Sequence, residues 1–154
     1  MTKLNIRSFN ALDAAKFKSL NIEWLETFFV VEAIDELVLS HPQTEIIDQG
    51  GFIFMATLEE VIVGTFAYIK KGNGVYEFTK MAVSPGLRGK GIGNKMMQYS
   101  IEFAKEQSWE KILLYSNTVL ENSIHIYRKY GFIEVPLEKK TRYSRSDIKM
   151  ELVL

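Results

Sequence analysis

The sequence predicts an α/β domain built on one mixed, mostly antiparallel sheet of six to seven strands with about four helices. Three segments of strand-like composition follow one another over residues 52–83 with short turns between them, which is typical of antiparallel strands. A glycine-rich loop then opens into an amphipathic helix and a short buried strand, which is the order of a parallel crossover. Because both connections occur in 154 residues, we expect a single domain spanning 1–154.

The first fifty residues predict one strand and two helices. Residues 4–7 form a short strand. Apolar side chains then recur every three or four residues, at Phe17, Leu20, Trp24 and Phe28. This spacing predicts a helix, with Asp13 as its N-cap. A second short helix over 34–38 is expected to end near Pro42, because proline disfavours helical backbone in the residue before it.

The remaining strands are read from β-branched and aromatic runs, or from alternating apolar residues. They are predicted at 52–58, 61–68, 75–83, 111–115, 132–135 and 148–154. Gly72, Asn73 and Gly74 mark the clearest turn, and Gly131 marks a helix end. Helices are predicted over 92–104 and 117–130. The strand at 111–115 is reached through a helix, so it is expected to run parallel to the strand ending at Val83.

Composition narrows the functional classes. Nineteen basic residues balance nineteen acidic ones, which argues against nucleic acid or a membrane surface as partner. The absence of cysteine excludes disulfides, thiolate metal sites and a cysteine nucleophile. No window approaches the ~18 apolar residues of a membrane span. The two histidines lack the partners of a zinc site or a hydrolase triad, and we expect both to face solvent. We expect a cytoplasmic protein that is a monomer or a homodimer.

The glycine-rich loop is the most informative motif. Arg88-x-x-Gly91-x-Gly93 follows a predicted strand and opens a predicted helix. Glycine lets backbone N–H groups approach an anion, and a helix N-terminus adds partial positive charge, so the loop predicts a phosphate site. A P-loop would need Lys and then Ser or Thr after its last glycine, but Asn94 follows Gly93. A dinucleotide-binding loop would need a further glycine or alanine at Asn94 or Met96.

This loop and its flanks resemble the acyl-CoA-binding motif of the GCN5-related N-acetyltransferase (GNAT) family. The Met-Ala-Val-Ser-Pro segment at 81–85 resembles the family's fourth strand and its exit. Tyr127-x-x-x-Gly131-Phe132 resembles the late helix and the sixth strand. The order of elements matches over essentially the whole chain. The resemblance implies a sheet splayed between the strands that end at Val83 and Tyr115, with acyl-CoA held in the opening.

The resemblance also implies acetyl-CoA as co-substrate, with no metal. The pantetheine arm would pair with backbone groups of Met81, Ala82 and Val83. The pyrophosphate would be held by a set of consecutive loop residues, namely Arg88, Gly89, Lys90, Gly91, Ile92, Gly93 and Asn94. Many relatives have asparagine seven residues before the tyrosine, where this chain has Leu120. We therefore expect Asn117 to substitute, or to cap a helix instead, and Ser123 to let CoA pass close to the helix.

Acetyl transfer to an amine needs the neutral amine, which for an ordinary alkylamine costs ~4 kcal/mol at pH 7. A general base therefore helps, and the family resemblance points to Glu77, five residues before Ala82. The alternative is an exposed strand glutamate in a cross-strand pair. Tyr127 is expected to protonate the leaving thiolate, unless it is a core aromatic. A backbone N–H group near Ala82 or Val83 is expected to stabilise the tetrahedral intermediate.

The acceptor is predicted only as a primary amine of a small molecule or peptide. Five acidic residues without an intervening base, Glu23, Glu26, Glu32, Asp35 and Glu36, either attract a cationic acceptor or form a solvated helix face. Trp24, Phe28 and Tyr143 are expected at the acceptor site. Two other functions remain open. One is a non-catalytic acyl-CoA-binding or sensor module, and the other is a protein- or nucleic-acid-binding domain that uses the basic loop 138–145.

Overall fold

A computed structural model describes residues 3–154 of the chain. The strands are β1 Leu4–Ser8, β2 Phe52–Leu58, β3 Val61–Gly72, β4 Val75–Val83, β5 Lys111–Ser116, β6 Ile133–Val135 and β7 Ile148–Val153. The α-helices are α1 Ala14–Phe28, α2 Ala33–Ser40, α3 Ile92–Glu106 and α4 Glu121–Lys129. A 3₁₀ turn, Ala11–Asp13, precedes α1, and a π-helical turn, Gln43–Ile47, follows α2. None of the helices in the described part is long and apolar enough to cross a membrane.

The strands form one sheet in the order β1-β2-β3-β4-β5-β7-β6. Only β4 and β5 run parallel, and every other neighbouring pair is antiparallel. The predicted mixed sheet, with three antiparallel strands before the glycine loop and one parallel crossover after it, is therefore confirmed. The helix α3 makes that crossover, as the sequence order requires.

The sheet opens between its two parallel strands. β4 and β5 pair only at their beginnings, where Val75–Glu77 oppose Lys111–Leu113. Beyond that point the two strands diverge, and residues of both line a common cleft. β4 also carries a bulge, because Thr65 and Ala67 on β3 oppose Ala82 and Thr79, which leaves one extra residue on β4. Bulges bend a strand and raise its twist, so this one helps to separate β4 from β5.

Helices cover both faces of the sheet. On one face α3 and α4 bury an aromatic-rich cluster that includes Phe66, Tyr68 and Met96. On the other face α1 and α2 bury a cluster that includes Phe17, Val38 and Met55. The apolar stripe predicted for α1 is thus partly confirmed as core, because Phe17 is fully buried whereas Phe28 is exposed at the cleft.

Of the two predicted helix starts, one agrees with the structure in position. α1 begins at Ala14 with Asp13 as its N-cap residue, as predicted, but the Asp13 side chain makes no capping hydrogen bond. It instead completes the capping box of the preceding 3₁₀ turn, which Asn10 caps, and pairs with Arg7. The predicted start of α4 at Asn117 is wrong, since α4 begins at Glu121. The Asn117 side chain accepts from the Val119 amide and closes a turn that delays the helix.

Candidate active site

The opening between β4 and β5 is a cleft of about 870 Å³. It brings together most of the residues that the sequence predicted for the site. From that set it is lined by Glu77, Met81, Ala82, Val83, Arg88, Gly89, Gly91, Ile92, Gly93, Asn94, Asn117, Ser123, Tyr127, Trp24, Phe28 and Tyr143. Lys90 is exposed and is not among the lining residues. The two histidines, His41 and His125, are exposed as predicted.

The N-terminus of α3 forms one end of the cleft. Gly91 is its N-cap at φ +84°, a left-handed conformation that favours glycine, and no side chain caps the first turn. A Cβ placed on Gly91 or Gly93 would meet no atom within 4 Å, so both glycines border open space. A helix N-terminus with uncapped amides and room for backbone approach fits a pyrophosphate group.

Arg88 is held across the mouth of the cleft by α1. Its guanidinium forms an ion pair with Glu23 and lies 5.6 Å from the centre of the Phe28 ring. Although burial alone would raise the pKa of Glu23, hydrogen bonds from Thr27 and Arg88 lower it, so the pair is ionised at neutral pH. Among the described residues, Arg88 Nε is the one buried side-chain nitrogen or oxygen without a hydrogen-bond partner. A phosphate oxygen is a suitable partner for that nitrogen.

Glu77 is buried rather than exposed, with only 3% of its surface accessible. Its nearest cation is Lys71, whose Nζ lies 3.7 Å from Oε1. Burial raises the pKa of Glu77, and the charges of Lys71, Lys80 and Arg142 oppose that rise only in part. A raised pKa makes a carboxylate a stronger base, so the structure supplies what an ordinary glutamate lacks for proton abstraction.

Tyr127 lies on α4 and faces the cleft from the opposite side, with 7% of its surface accessible. Burial raises the pKa of its phenol to about 12, and the Ser123 hydroxyl opposes that rise. A phenol with this pKa stays protonated at every physiological pH. Tyr127 is therefore suited to donating a hydrogen bond to a thiolate, while full proton transfer to a thiol near pKa ~8.5 would be uphill by about 5 kcal/mol.

The Asn117 side chain is already occupied at both ends. Its Nδ2 donates to the Arg145 carbonyl at 2.7 Å, and its Oδ1 accepts from the Val119 amide at 2.8 Å. The first bond joins the end of β5 to the loop before β7, and the second closes the turn after β5. Of the two roles that the sequence left open, the structure shows neither a helix cap nor an amide free to receive a ligand in this state.

The other end of the cleft has aromatic walls. Trp24 on α1 packs against Phe28 at the end of that helix and against Phe29 directly after it, with ring centres 5.1 and 5.9 Å away. Tyr143 faces them from the loop between β6 and β7. Although Tyr143 belongs to a loop, it is buried, with only 5% of its surface accessible. Three aromatic side chains predicted for an acceptor site therefore border the same cavity.

Sequence reasoning missed an ion-pair network that fixes this end. Asp35 on α2 is fully buried, and both its carboxylate oxygens accept from Arg145 at 2.8 Å. Arg145 also donates to Glu32 at 3.0 Å, and Glu32 accepts from Ser144. The loop before β7 is thereby tied to the start of α2. The one signal in the sequence was the Glu32-x-x-Asp35 spacing of a capping box, which the structure contains.

This network changes the interpretation of the acidic run. Four of its five carboxylates have cationic partners, namely Glu23 with Arg88, Glu32 and Asp35 with Arg145, and Glu36 with Lys18. Neither sequence alternative describes them, because they are neither an unpaired attracting wall nor a plain solvated face. The basic residues of loop 138–145 also differ in environment. Arg145 forms an ion pair with Asp35, whereas Lys139 and Lys140 are exposed.

Lys80 is the second residue that the sequence analysis missed. It occupies the bulge of β4 at φ +59°, and only 9% of its surface is accessible. Its Nζ donates to the Tyr143 hydroxyl at 2.6 Å and lies 3.9 Å from Asp35. A lysine inside an apolar strand was the available signal. A strained backbone and a buried ammonium at one position are costly, and such features cluster at functional sites.

Comparison with known proteins confirms the family. The acetyltransferase (GNAT) family matches over residues 17–132, and the chain belongs to that family. Streptothricin acetyltransferase A of Bacillus subtilis is 24% identical over 147 residues, covering 86% of this chain and 83% of that protein. A GNAT acetyltransferase structure from Staphylococcus aureus superposes with a TM-score of 0.84 at 20% identity, covering 97% and 98% of the two chains. A Bacillus subtilis acetyltransferase in complex with CoA gives 0.75 at 17% identity, covering 99% of each. These two structures establish the shared fold.

Proposed function

We propose that residues 1–154 form one acetyl-CoA-dependent N-acetyltransferase domain that moves an acetyl group to a primary amine of a small molecule or peptide. The observation that carries the proposal is the single cleft between β4 and β5. The N-terminus of α3 and its open glycines lie at one end. Glu77 and Tyr127 line the same cavity, together with the aromatic wall of α1.

The donor half of the cleft, which is the part proposed to hold acetyl-CoA, is formed mainly by backbone groups. The separation of β4 from β5 leaves backbone groups from Met81 to Val83 without a strand partner on the β5 side, so they are available to the amides of a pantetheine arm. The amides of the α3 N-terminus, with Arg88, hold the pyrophosphate, and Lys90 adds a more distant charge. Relatives crystallised with CoA share this fold, which supports the same donor.

The reaction uses Glu77 as general base and Tyr127 as hydrogen-bond donor to the leaving sulfur. Glu77 receives a proton from the acceptor ammonium, directly or through water, and the neutral amine attacks the thioester carbonyl. A backbone N–H group at Ala82 or Val83 stabilises the negative oxygen of the tetrahedral intermediate. The intermediate then collapses with cleavage of the C–S bond, the nitrogen loses its second proton, and CoA leaves as the thiol. The raised pKa of Glu77 brings it closer to that of an amine, which lowers the cost of the first proton transfer.

The proposed acceptor site lies between α1, α2 and the loop before β7, where Trp24, Phe28 and Tyr143 line the cavity. The carboxylates of this region are mostly neutralised, so a large positive charge on the acceptor is not required for binding. The relatives include enzymes named for streptothricin and for spermidine. Both names are consistent with a primary amine on a small molecule as acceptor.

The experiment is release of free thiol from acetyl-CoA against a panel of polyamines, amino acids, peptide N-termini and aminoglycosides. The proposal expects release that depends on one class of amine and saturates with it. Tight CoA binding with no release for any amine would favour the non-catalytic acyl-CoA sensor instead. Salt-dependent affinity for DNA, with no CoA binding, would favour the nucleic-acid alternative.

A further inference from the structure

Lys80 has no role in the reaction described above, yet it occupies the reacting cleft. Among the described residues that line the cavity it is the only lysine. Met81 and Ala82, which directly follow it on β4, belong to the donor half. Its own Nζ lies among acceptor-half groups, 2.6 Å from the Tyr143 hydroxyl and 3.9 Å from Asp35. A primary amine therefore resides where the proposed acceptor amine would bind.

The bulge explains how a strand residue reaches this position. An extra residue on β4 between Thr79 and Ala82 breaks the regular alternation of side chains, and Lys80 adopts the left-handed conformation within it. The long side chain is then enclosed by Tyr143 and by α2. Because the same bulge borders the backbone expected to hold the donor, Lys80 is anchored one residue from that backbone.

The surroundings increase the fraction of Lys80 that is neutral. Burial lowers the pKa of Lys80 to about 8, while Asp35 on α2 and Glu77 on β4 oppose that fall, and Arg145 and Arg142 on the loop before β7 reinforce it. Tyr143 on the same loop remains protonated, because burial raises the pKa of its phenol. At pH 7 the neutral fraction of such a lysine is a few hundred-fold larger than that of an exposed lysine. This is the form that attacks a thioester.

We propose that Lys80 is a self-acetylation site, modified by bound acetyl-CoA when no acceptor amine occupies the cleft. The proposal rests on the acetyltransferase function above. The Lys80 Nζ forms a C–N amide bond with the acetyl carbon, the C–S thioester bond breaks, and CoA leaves as the thiol with the proton lost by nitrogen. The product is uncharged and places an acetyl group in the acceptor site, so the modified protein is blocked toward amines.

The test is incubation of the intact protein with acetyl-CoA alone, followed by whole-protein mass and peptide mapping. We expect one acetyl group per chain, located on Lys80, formed faster as pH rises through about 8 and slowed by a good acceptor amine. Lys80→Arg keeps a cation beside Tyr143 and should remain unmodified. Lys105→Arg removes an exposed lysine of α3 and should be modified like the wild type. Heat-unfolded protein with acetyl-CoA controls for uncatalysed acetylation.

Peptide mapping of the wild type alone keeps the test decisive if Lys80→Arg does not fold. Unmodified Lys80 in a protein that acetylates an added amine overturns self-acetylation and leaves the proposed function intact. Acetylation scattered over exposed lysines, at the rate of the unfolded protein, also overturns it. Acetyl-Lys80 without turnover of any amine supports self-acetylation and overturns only the acceptor reaction.

Discussion

Glu23 on α1 and Arg88 in the glycine loop form an ion pair across the mouth of the cleft. Arg88 is the first residue of the proposed phosphate-binding motif, so in this state it is paired with a carboxylate at the place where the proposed ligand would bring a phosphate. The guanidinium also stands over the Phe28 ring, which adds a second contact with α1. Binding of CoA would therefore either break the contacts of Arg88 with α1 or give Arg88 a phosphate partner in addition to Glu23.

The first prediction concerns this pair. Glu23→Gln removes a carboxylate that competes with, and repels, the pyrophosphate, so CoA should bind up to about fivefold more tightly, as expected for a half-exposed ion pair. Calorimetric titration with CoA measures the change. Glu26→Gln alters an exposed glutamate on the same helix and should leave affinity unchanged. Weaker binding in the Glu23 variant would mean that the pair organises the donor site instead.

The second prediction separates backbone strain from ligand contact. Gly91→Val should abolish CoA binding, because its side chain would fill the open space at the α3 N-terminus, and it should cost about 1–2 kcal/mol of stability for the left-handed backbone. Gly86→Val introduces the same strain at φ +85° outside the cleft. Equal losses of CoA affinity in both variants would show that strain alone is responsible.

The third prediction concerns Tyr127. Tyr127→Phe should lower kcat about tenfold to a hundredfold, as loss of one hydrogen bond in the transition state does, while the Kd for CoA stays nearly constant. Because burial raises the pKa of the phenol to about 12, the pH–rate profile should keep its shape. Tyr99→Phe, which changes a tyrosine of α3 that does not line the cleft, is the control. Unchanged turnover would remove Tyr127 from the mechanism.

The fourth prediction concerns Glu77. Its pKa is raised, so kcat/KM should increase with pH as the carboxyl group ionises, with a midpoint above the ordinary value of 4.5. Glu77→Gln should eliminate that acidic limb and lower the plateau about a hundredfold or more. Glu106→Gln changes an exposed glutamate at the end of α3 and serves as control. An acidic limb that persists in Glu77→Gln would assign the base to another group.

The fifth prediction concerns the buried Asp35–Arg145 pair. Burial would raise the pKa of Asp35, but Arg145 and the Glu32 amide lower it below 3.8. Ionised Asp35 therefore stabilises the fold above the unfolded-state pKa, and this contribution is lost as pH falls through the lower folded-state value. Asp35→Asn should lower the free energy of unfolding at neutral pH by about 3 kcal/mol.

Urea unfolding at several pH values measures this effect. The difference between wild type and Asp35→Asn should shrink as pH falls from the unfolded-state pKa of Asp35 through its lower folded-state pKa. Glu36→Gln, on the same helix as Asp35, disrupts an exposed ion pair with Lys18 of α1 and should change stability little. A difference for Asp35→Asn that stays constant down to acidic pH would show that its cause is packing rather than charge.

The loop geometry of the proposed donor site could be predicted because its requirements are local. Left-handed backbone at Gly91 demands glycine, and a phosphate cradle demands glycine before a helix, so both leave a trace in consecutive residues. The antiparallel neighbours β2, β3 and β4 and the parallel pair of β4 and β5 could also be predicted, since short turns favour antiparallel neighbours and a helical crossover favours a parallel one. The insertion of β7 between β5 and β6 was not predicted. The fold class and the family were accordingly confirmed.

The acceptor half could not be predicted because its contacts join distant parts of the chain. Asp35 and Arg145 are 110 positions apart, and Lys80 meets Tyr143 over 63. A run of carboxylates looks alike whether it faces water or a guanidinium, and only the packed structure shows which. The sequence also gives no signal for the bulge at Lys80, since one inserted residue does not change the composition of β4.

The most direct measurement is the mass of the acceptor after incubation with the protein and acetyl-CoA. The acetyltransferase proposal predicts an amine that gains one acetyl group, in equal amount to the free CoA thiol released, with both lost in Gly91→Val. Thiol release beyond one equivalent per protein chain without an acetylated amine, or an acetylated amine formed equally well by Gly91→Val, would contradict the proposal that this cleft binds the donor and catalyses the transfer.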